Sequence, residues 1–191
     1  MDRPYSASLS FAPVIAPDPP LEVRNSGSLT SGFPSPEPNH CRVPILKPAG
    51  AYPAFRISPE DQNRIAIVFD PTQAEISLAL CVEIFEPGGH TPHHRHPMAT
   101  EMFFILQGEG TAFCDGKSVA LKAGDSLLVP PNANHALHNT GDRRLYALCL
   151  MVPNEDFIEL IRQGTPVELD AEDLAVLQGL GSWGQHFPKL A

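Results

Sequence analysis

Between Arg64 and Val152 the chain is a succession of short apolar runs, each closed by turn-forming residues. Arg64–Phe69 ends at Asp70-Pro71, Glu75–Phe85 at Pro87-Gly88-Gly89, and Glu101–Leu106 at Gln107-Gly108. Thr111–Cys114 and Lys117–Leu121 flank Asp115-Gly116, a pair that accepts the positive φ angles of a two-residue hairpin. Ser126–Val129 runs into Pro130-Pro131, and Thr140-Gly141-Asp142 separates His135–Asn139 from Arg144–Val152. Turns punctuate these runs roughly every 8–12 residues, with no helical pattern between them. The pattern predicts an all-β fold, an antiparallel sandwich or barrel.

The flanks differ in character. Proline, serine and alanine crowd residues 1–40, which predicts an arm too poor in apolar surface to offset its ordering entropy. Prolines at 44, 48, 53 and 59 extend the expected irregular arm through residues 41–62, ahead of a barrel at 63–152. Residues 153–191 carry much of the acidity, and two short helices are expected there. Asn154 can cap one that runs to Gln163 and stops at Gly164, with Phe157, Leu160 and Ile161 on one face. A second starts at Asp170 or Ala171 and ends near Gly179.

A formal charge of −9 speaks against a nucleic-acid partner. No run approaches the roughly 20 apolar residues of a membrane span. Cys41, Cys81, Cys114 and Cys149 form no Cys-x-x-Cys pair, and three lie in apolar runs. They read as free thiols, so the expected compartment is the cytoplasm.

The chemistry concentrates between Gly88 and Glu101, where His90, His93, His94 and His96 precede a carboxylate, with His135 answering from farther along. Strand alternation sends His94 and His96 to one face, and His93 and Arg95 to the other. Glu101 opens the next strand and can return to the first face. Three imidazoles and a carboxylate suit Fe, Mn, Co, Ni, Cu or Zn, and are too rich in nitrogen for Ca or Mg.

Gly88, His94, His96, Glu101 and Gly108 stand at the spacing of the first cupin motif. Gly124, Pro130, His135 and Asn139 resemble the second, with Asn132 where the family pattern has glycine. Asparagine tolerates positive φ, so the turn is expected to persist. Over residues 75–152 the chain thus resembles a small single-domain cupin. The resemblance implies a small antiparallel jelly-roll barrel with an extended N-terminal arm and short C-terminal helices. It implies His94, His96, Glu101 and His135 as ligands to one divalent transition metal per chain, iron first. It also implies a homodimer.

Alternation from Glu101 and His135 predicts Phe103, Ile105, Leu137 and Asn139 as pocket residues, with His138 outward. His90 at the barrel mouth and Tyr146 are the candidate proton-transfer groups. A substrate carboxylate would want an arginine fork, which only Arg42, Arg56 or Arg64 could supply. The expected ligand is therefore a small neutral or aromatic molecule, or one bound directly to the metal. The preferred function is a non-haem dioxygenase. The alternatives are a metal-dependent lyase, decarboxylase or isomerase, and a binding or sensing cupin without turnover.

Overall fold

The computed structural model of the protein describes residues 44–74 and 76–179, so the arm expected over residues 1–40 lies outside the described residues. Among the described residues ten strands form two antiparallel sheets. They are β1 (Ala54–Arg56), β2 (Arg64–Phe69), β3 (Ala79–Phe85), β4 (Thr100–Gln107), β5 (Glu109–Cys114), β6 (Lys117–Lys122), β7 (Ser126–Val129), β8 (His135–His138), β9 (Leu145–Val152) and β10 (Thr165–Val167). One sheet has the order β10-β1-β2-β3-β9-β4-β7 and the other β6-β5-β8. Three short helices accompany them: α1 (Pro71–Ala74), α2 (Phe157–Gln163) and α3 (Ala171–Leu177).

The turns follow from backbone chemistry. Asp115 (φ 46°) and Gly116 (φ 77°) make the β5–β6 hairpin, and Asn132 takes φ 65° as its family position demands. Gly108 is doubly constrained. Its φ is +89°, and a Cβ there would stand 2.6 Å from the Arg144 carbonyl oxygen.

Period-two alternation divides the larger sheet between two cores. Ile65, Ile67, Cys81, Phe85, Phe103, Ile105, Leu145, Ala147 and Cys149 face inward, toward Leu121 and Leu137 of the smaller sheet. Ala66, Val68, Val82, Ile84 and Tyr146 face outward, where Leu169, Val176 and Leu177 pack on them. This explains why β2 and β3 read as nearly continuous apolar runs rather than as alternating strands: both of their faces are covered.

Charge holds the outer layer down. Arg64 and Arg144 converge on Asp173 Oδ1 at 3.1 and 3.2 Å, and the Tyr146 hydroxyl donates to the same oxygen at 2.9 Å. Asp170 caps α3 in a reciprocal box with Asp173. Asn154 Oδ1 accepts from Ile158 N at 3.0 Å at the start of α2, which ends at Gly164.

Three expectations are corrected. The irregular stretch over residues 41–62 contains β1, which pairs with β2 and with β10, itself inside the segment expected to be only helical. Of the run read as starting at Glu75, the strand occupies Ala79–Phe85, with a turn closed by Leu78 N and Ile76 O at 2.9 Å just ahead of it. On α2 the buried residues are Ile158 and Ile161, while Leu160 is exposed.

Asp70 joins these parts, accepting from Thr72 N at 2.9 Å and from Arg162 on α2 while fully buried. Burial alone would raise its pKa, but the Thr72 bonds and Arg162 outweigh burial and hold it below 3.8. The stabilisation is therefore complete above pH 3.8 and is lost as pH falls further. Asp70→Asn should cost about 1–3 kcal/mol near neutrality. Denaturant titrations should find that difference shrinking as pH falls below the ordinary carboxylate value.

Candidate metal centre

The loop between β3 and β4 carries the first two histidines. It is clipped to β8 by paired backbone bonds, His94 N to His135 O at 3.0 Å and His135 N to His94 O at 2.8 Å. Asn132 Nδ2 adds a bond to Pro97 O at 3.1 Å, and Asn132 N donates to His96 O. The ligand-bearing atoms of His94, His96, Glu101 and His135 then lie within 4.8 Å of one another. The imidazoles of His94 and His96 are 4.9 Å apart, and those of His94 and His135 4.3 Å.

Two of the tautomers are set by the backbone. His94 Nδ1 meets the Pro92 carbonyl at 2.9 Å and His135 Nδ1 meets that of Ala133 at 2.9 Å, so each Nδ1 carries the proton. Each Nε2 lone pair is left for the interior, the arrangement found in metal-ligating histidines. His96 Nε2 is buried without a hydrogen-bond partner. His135 Nε2 stands 2.7 Å from Glu101 Oε2, and His96 Nε2 stands 3.7 Å from the same oxygen.

Lone pairs aimed at a carboxylate need a proton or a cation between them. Without a cation the proton serves. Burial opposes charge on His135, but its bond to Glu101 prevails and raises the pKa above 6.5. Burial likewise opposes ionised Glu101, yet bonds from His135 and Cys149 hold it below 4.5. His94 is lowered, chiefly by burial, and so is neutral and ready to coordinate. The orphaned His96 nitrogen and the facing lone pairs fit a divalent transition ion, which these four residues could hold.

A cavity of about 780 Å³ opens above the cluster. Phe103, Leu137, Ile57, Ile65, Phe157 and Leu160 supply apolar wall, and His90, Asn63, Glu83, Glu60 and Asp61 supply polar groups. No lysine or arginine lines it among the described residues. Arg64 is spent on Glu86 and Asp173 on the outer face, and Arg42 lies outside the described residues. Arg56 does not reach the cavity.

The other candidates sort as follows. His90 lies at the cavity wall with its ring 4.9 Å from that of His138, which in turn stacks on Phe113 at 4.7 Å. His93 also packs edge-on to Phe113, away from the cluster. Tyr146 is corrected from a pocket group to an outer-core one: its strand partner is Ile84, and its hydroxyl is held by Asp173. Ile105 is buried between the sheets, one step below Phe103, and does not line the cavity. Asn139, expected in the pocket, does not line the cavity: it follows the end of β8, and its amide ties the next turn, donating to Phe85 O at 3.0 Å and Arg143 O at 2.7 Å. Glu83, absent from the sequence-based set, is buried in the wall and borders the cavity. Its signal was a single carboxylate within the apolar run Cys81–Phe85.

A two-sheet antiparallel barrel that brings three histidines and a glutamate together defines a class of metal-binding barrel. The chain belongs to the cupin superfamily: the Cupin domain family model matches residues 81–151. The chain is 32% identical over 81 residues to the uncharacterized protein YdbB of Bacillus subtilis, covering 39% of this chain and 72% of that one. It is 35% identical over 66 residues to an oxalate-binding protein of Thermotoga maritima, covering 35% of this chain and 54% of that one. The chain spans 54% to 64% of the length of several such curated relatives. The fold is shared with the crystal structure of a predicted oxalate decarboxylase from Thermotoga maritima, at TM-score 0.52 and 23% identity, over 57% of this chain and 99% of that one. Among the described residues no helix is long and apolar enough to cross a membrane.

His96→Ala should lower the transition metal retained on purification, as read by elemental analysis, while His93→Ala should leave it unchanged. Equal metal content in both variants would contradict the ligand set.

Proposed function

We propose that the chain is a metal-dependent enzyme that binds a small neutral organic molecule over a single ion held by His94, His96, Glu101 and His135. The observation that carries the reading is the pairing of this donor set with a cavity wall that is largely apolar and, among the described residues, has no lysine or arginine. Four protein ligands leave one or two positions open on an ion that prefers five or six. Bound there, such an ion supplies Lewis acidity and, as iron, the electrons for reaction with O₂.

The chain's own residues do the rest. Phe103, Leu137, Ile65 and Phe157 line the open side with apolar surface, which favours oxygen chemistry and suits a flat apolar substrate. Glu60 and Asp61 repel anions, and a dicarboxylate such as oxalate finds no guanidinium partner among the described lining residues. This distinguishes the pocket from what the name of the oxalate-binding relative implies for that protein. We infer a non-haem dioxygenase of neutral, phenol-like substrates.

A second reading, a redox-neutral lyase, decarboxylase or isomerase, is favoured by one observation. Glu83 is a buried carboxyl at the cavity wall that burial and the neighbouring Glu101 push up to about pKa 8, within the range of a proton carrier.

Oxygen uptake by Fe(II)-loaded protein with a panel of neutral phenols and catechols tests the first reading, with oxalate as the charged control. The expected result is substrate-dependent uptake with one member of the panel and none with oxalate. No uptake with iron, together with redox-neutral turnover by Mn- or Zn-loaded protein that is lost in Glu83→Gln, would overturn it in favour of the second.

A further inference from the structure

Next to the histidine cluster, the inner face of the larger sheet carries a second concentration of metal-ligating groups. Cys81 on β3 and Cys149 on β9 are direct cross-strand partners. Glu83 lies two residues along β3 and so shares their face. The two sulfurs and a carboxylate oxygen of Glu83 all lie within 4.8 Å of one another. Both thiols are free and fully buried, and Glu83 is 5% exposed.

The electrostatics of this wall are unbalanced. Glu83 is disfavoured as an anion by its burial and then by Glu101 and Asp61, with only the Cys149 thiol in relief. Buried carboxyls ordinarily find an arginine, lysine or metal. Two acids and two thiols share this patch, and the nearest arginine on β2, Arg64, points to the opposite face of the sheet. Glu101 touches both groups: Oε2 faces His135 at 2.7 Å, and Oε1 accepts from Cys149 Sγ at 3.2 Å.

We propose that Cys81, Cys149 and Glu83 form a second metal site, for a thiophilic divalent ion such as Zn²⁺, beside the histidine site and joined to it through Glu101. Two sulfurs and one carboxylate are a donor set for zinc or cobalt rather than for calcium or magnesium. Glu101 Oε1, 3.2 Å from Cys149 Sγ, is the link between this group and the histidine site. Loading releases the two thiol protons to solvent, so occupancy rises with pH. The ion's entry route is the cavity, since Glu83 and Glu101 both border it. With this site filled, Glu83 is a ligand and not a proton carrier, which favours the oxygen-dependent reading. The proposal shares only Glu101 with the histidine site and does not depend on the reaction assigned there.

The test is a Co²⁺ titration of the full chain, stripped of metal and kept reduced, read by elemental stoichiometry and by the near-ultraviolet thiolate-to-cobalt band. Wild type should bind two equivalents and show the band. Cys149→Ser and Cys81→Ser should each bind one and lose it, whereas His96→Ala should keep the band while losing the other equivalent. Glu83→Gln leaves both thiols in place and should weaken the band-forming step at least about tenfold, so the proposal stays testable if a cysteine variant misfolds. One equivalent in wild type with no band would overturn it. So would a band that survives both serine substitutions, which would trace it to Cys41 or Cys114.

Discussion

The approach of His135 Nε2 to Glu101 Oε2 at 2.7 Å, with both residues buried, is the constraint around which the rest of the barrel is arranged. Two groups that each offer electron pairs are held together by strands that do not neighbour each other in either sheet. Glu101 is seated on β4, between β7 and β9, with Val129 and Met151 as its cross-strand partners. His135 opens β8 of the opposite sheet, where its backbone also clips the loop bearing His94. Such a contact would be costly in an apolar interior without a proton or cation to join it. The proline and alanine carbonyls that take the Nδ1 protons of His94 and His135 keep both rings facing that point.

The larger sheet divides its labour by face. Its outward residues secure the fold, through the Arg64–Arg144–Asp173–Tyr146 network and the apolar contacts of α3. Its inward residues hold the chemistry: Cys81, Glu83, Glu101, Phe103 and Cys149 all project into the barrel. Because side chains alternate with a period of two, a shift of one residue in strand register would exchange these sets. Strand pairing is therefore the determinant of the site as much as of the fold.

Much of this was legible in the sequence, and for identifiable reasons. The hairpin at Asp115-Gly116, the turn at Asn132 and the alternation of Glu101, Phe103 and Ile105 are local properties, and the structure has them where the residues predict. What escaped was non-local. β1 and β10 are three-residue strands that stabilise each other across more than a hundred residues, and Pro166 hides one of them. Tyr146 could be assigned a face only once its pairing with Ile84 was known. Glu83 escaped because β3 is covered on both faces, so its apolar neighbours gave no alternation to read. Ile105 faces inward as expected yet lies too deep to meet the cavity, and depth along a strand is not encoded in its periodicity.

The central claim is that one transition ion is held jointly by three imidazoles and Glu101. Anomalous diffraction from crystals of the metal-loaded protein, collected on either side of the absorption edge, tests it most directly. The account predicts a peak roughly 2.0–2.2 Å from Nε2 of His94, His96 and His135 and from a Glu101 oxygen. No peak at that position, or a Glu101–His135 contact that persists with the metal bound outside it, would contradict the account.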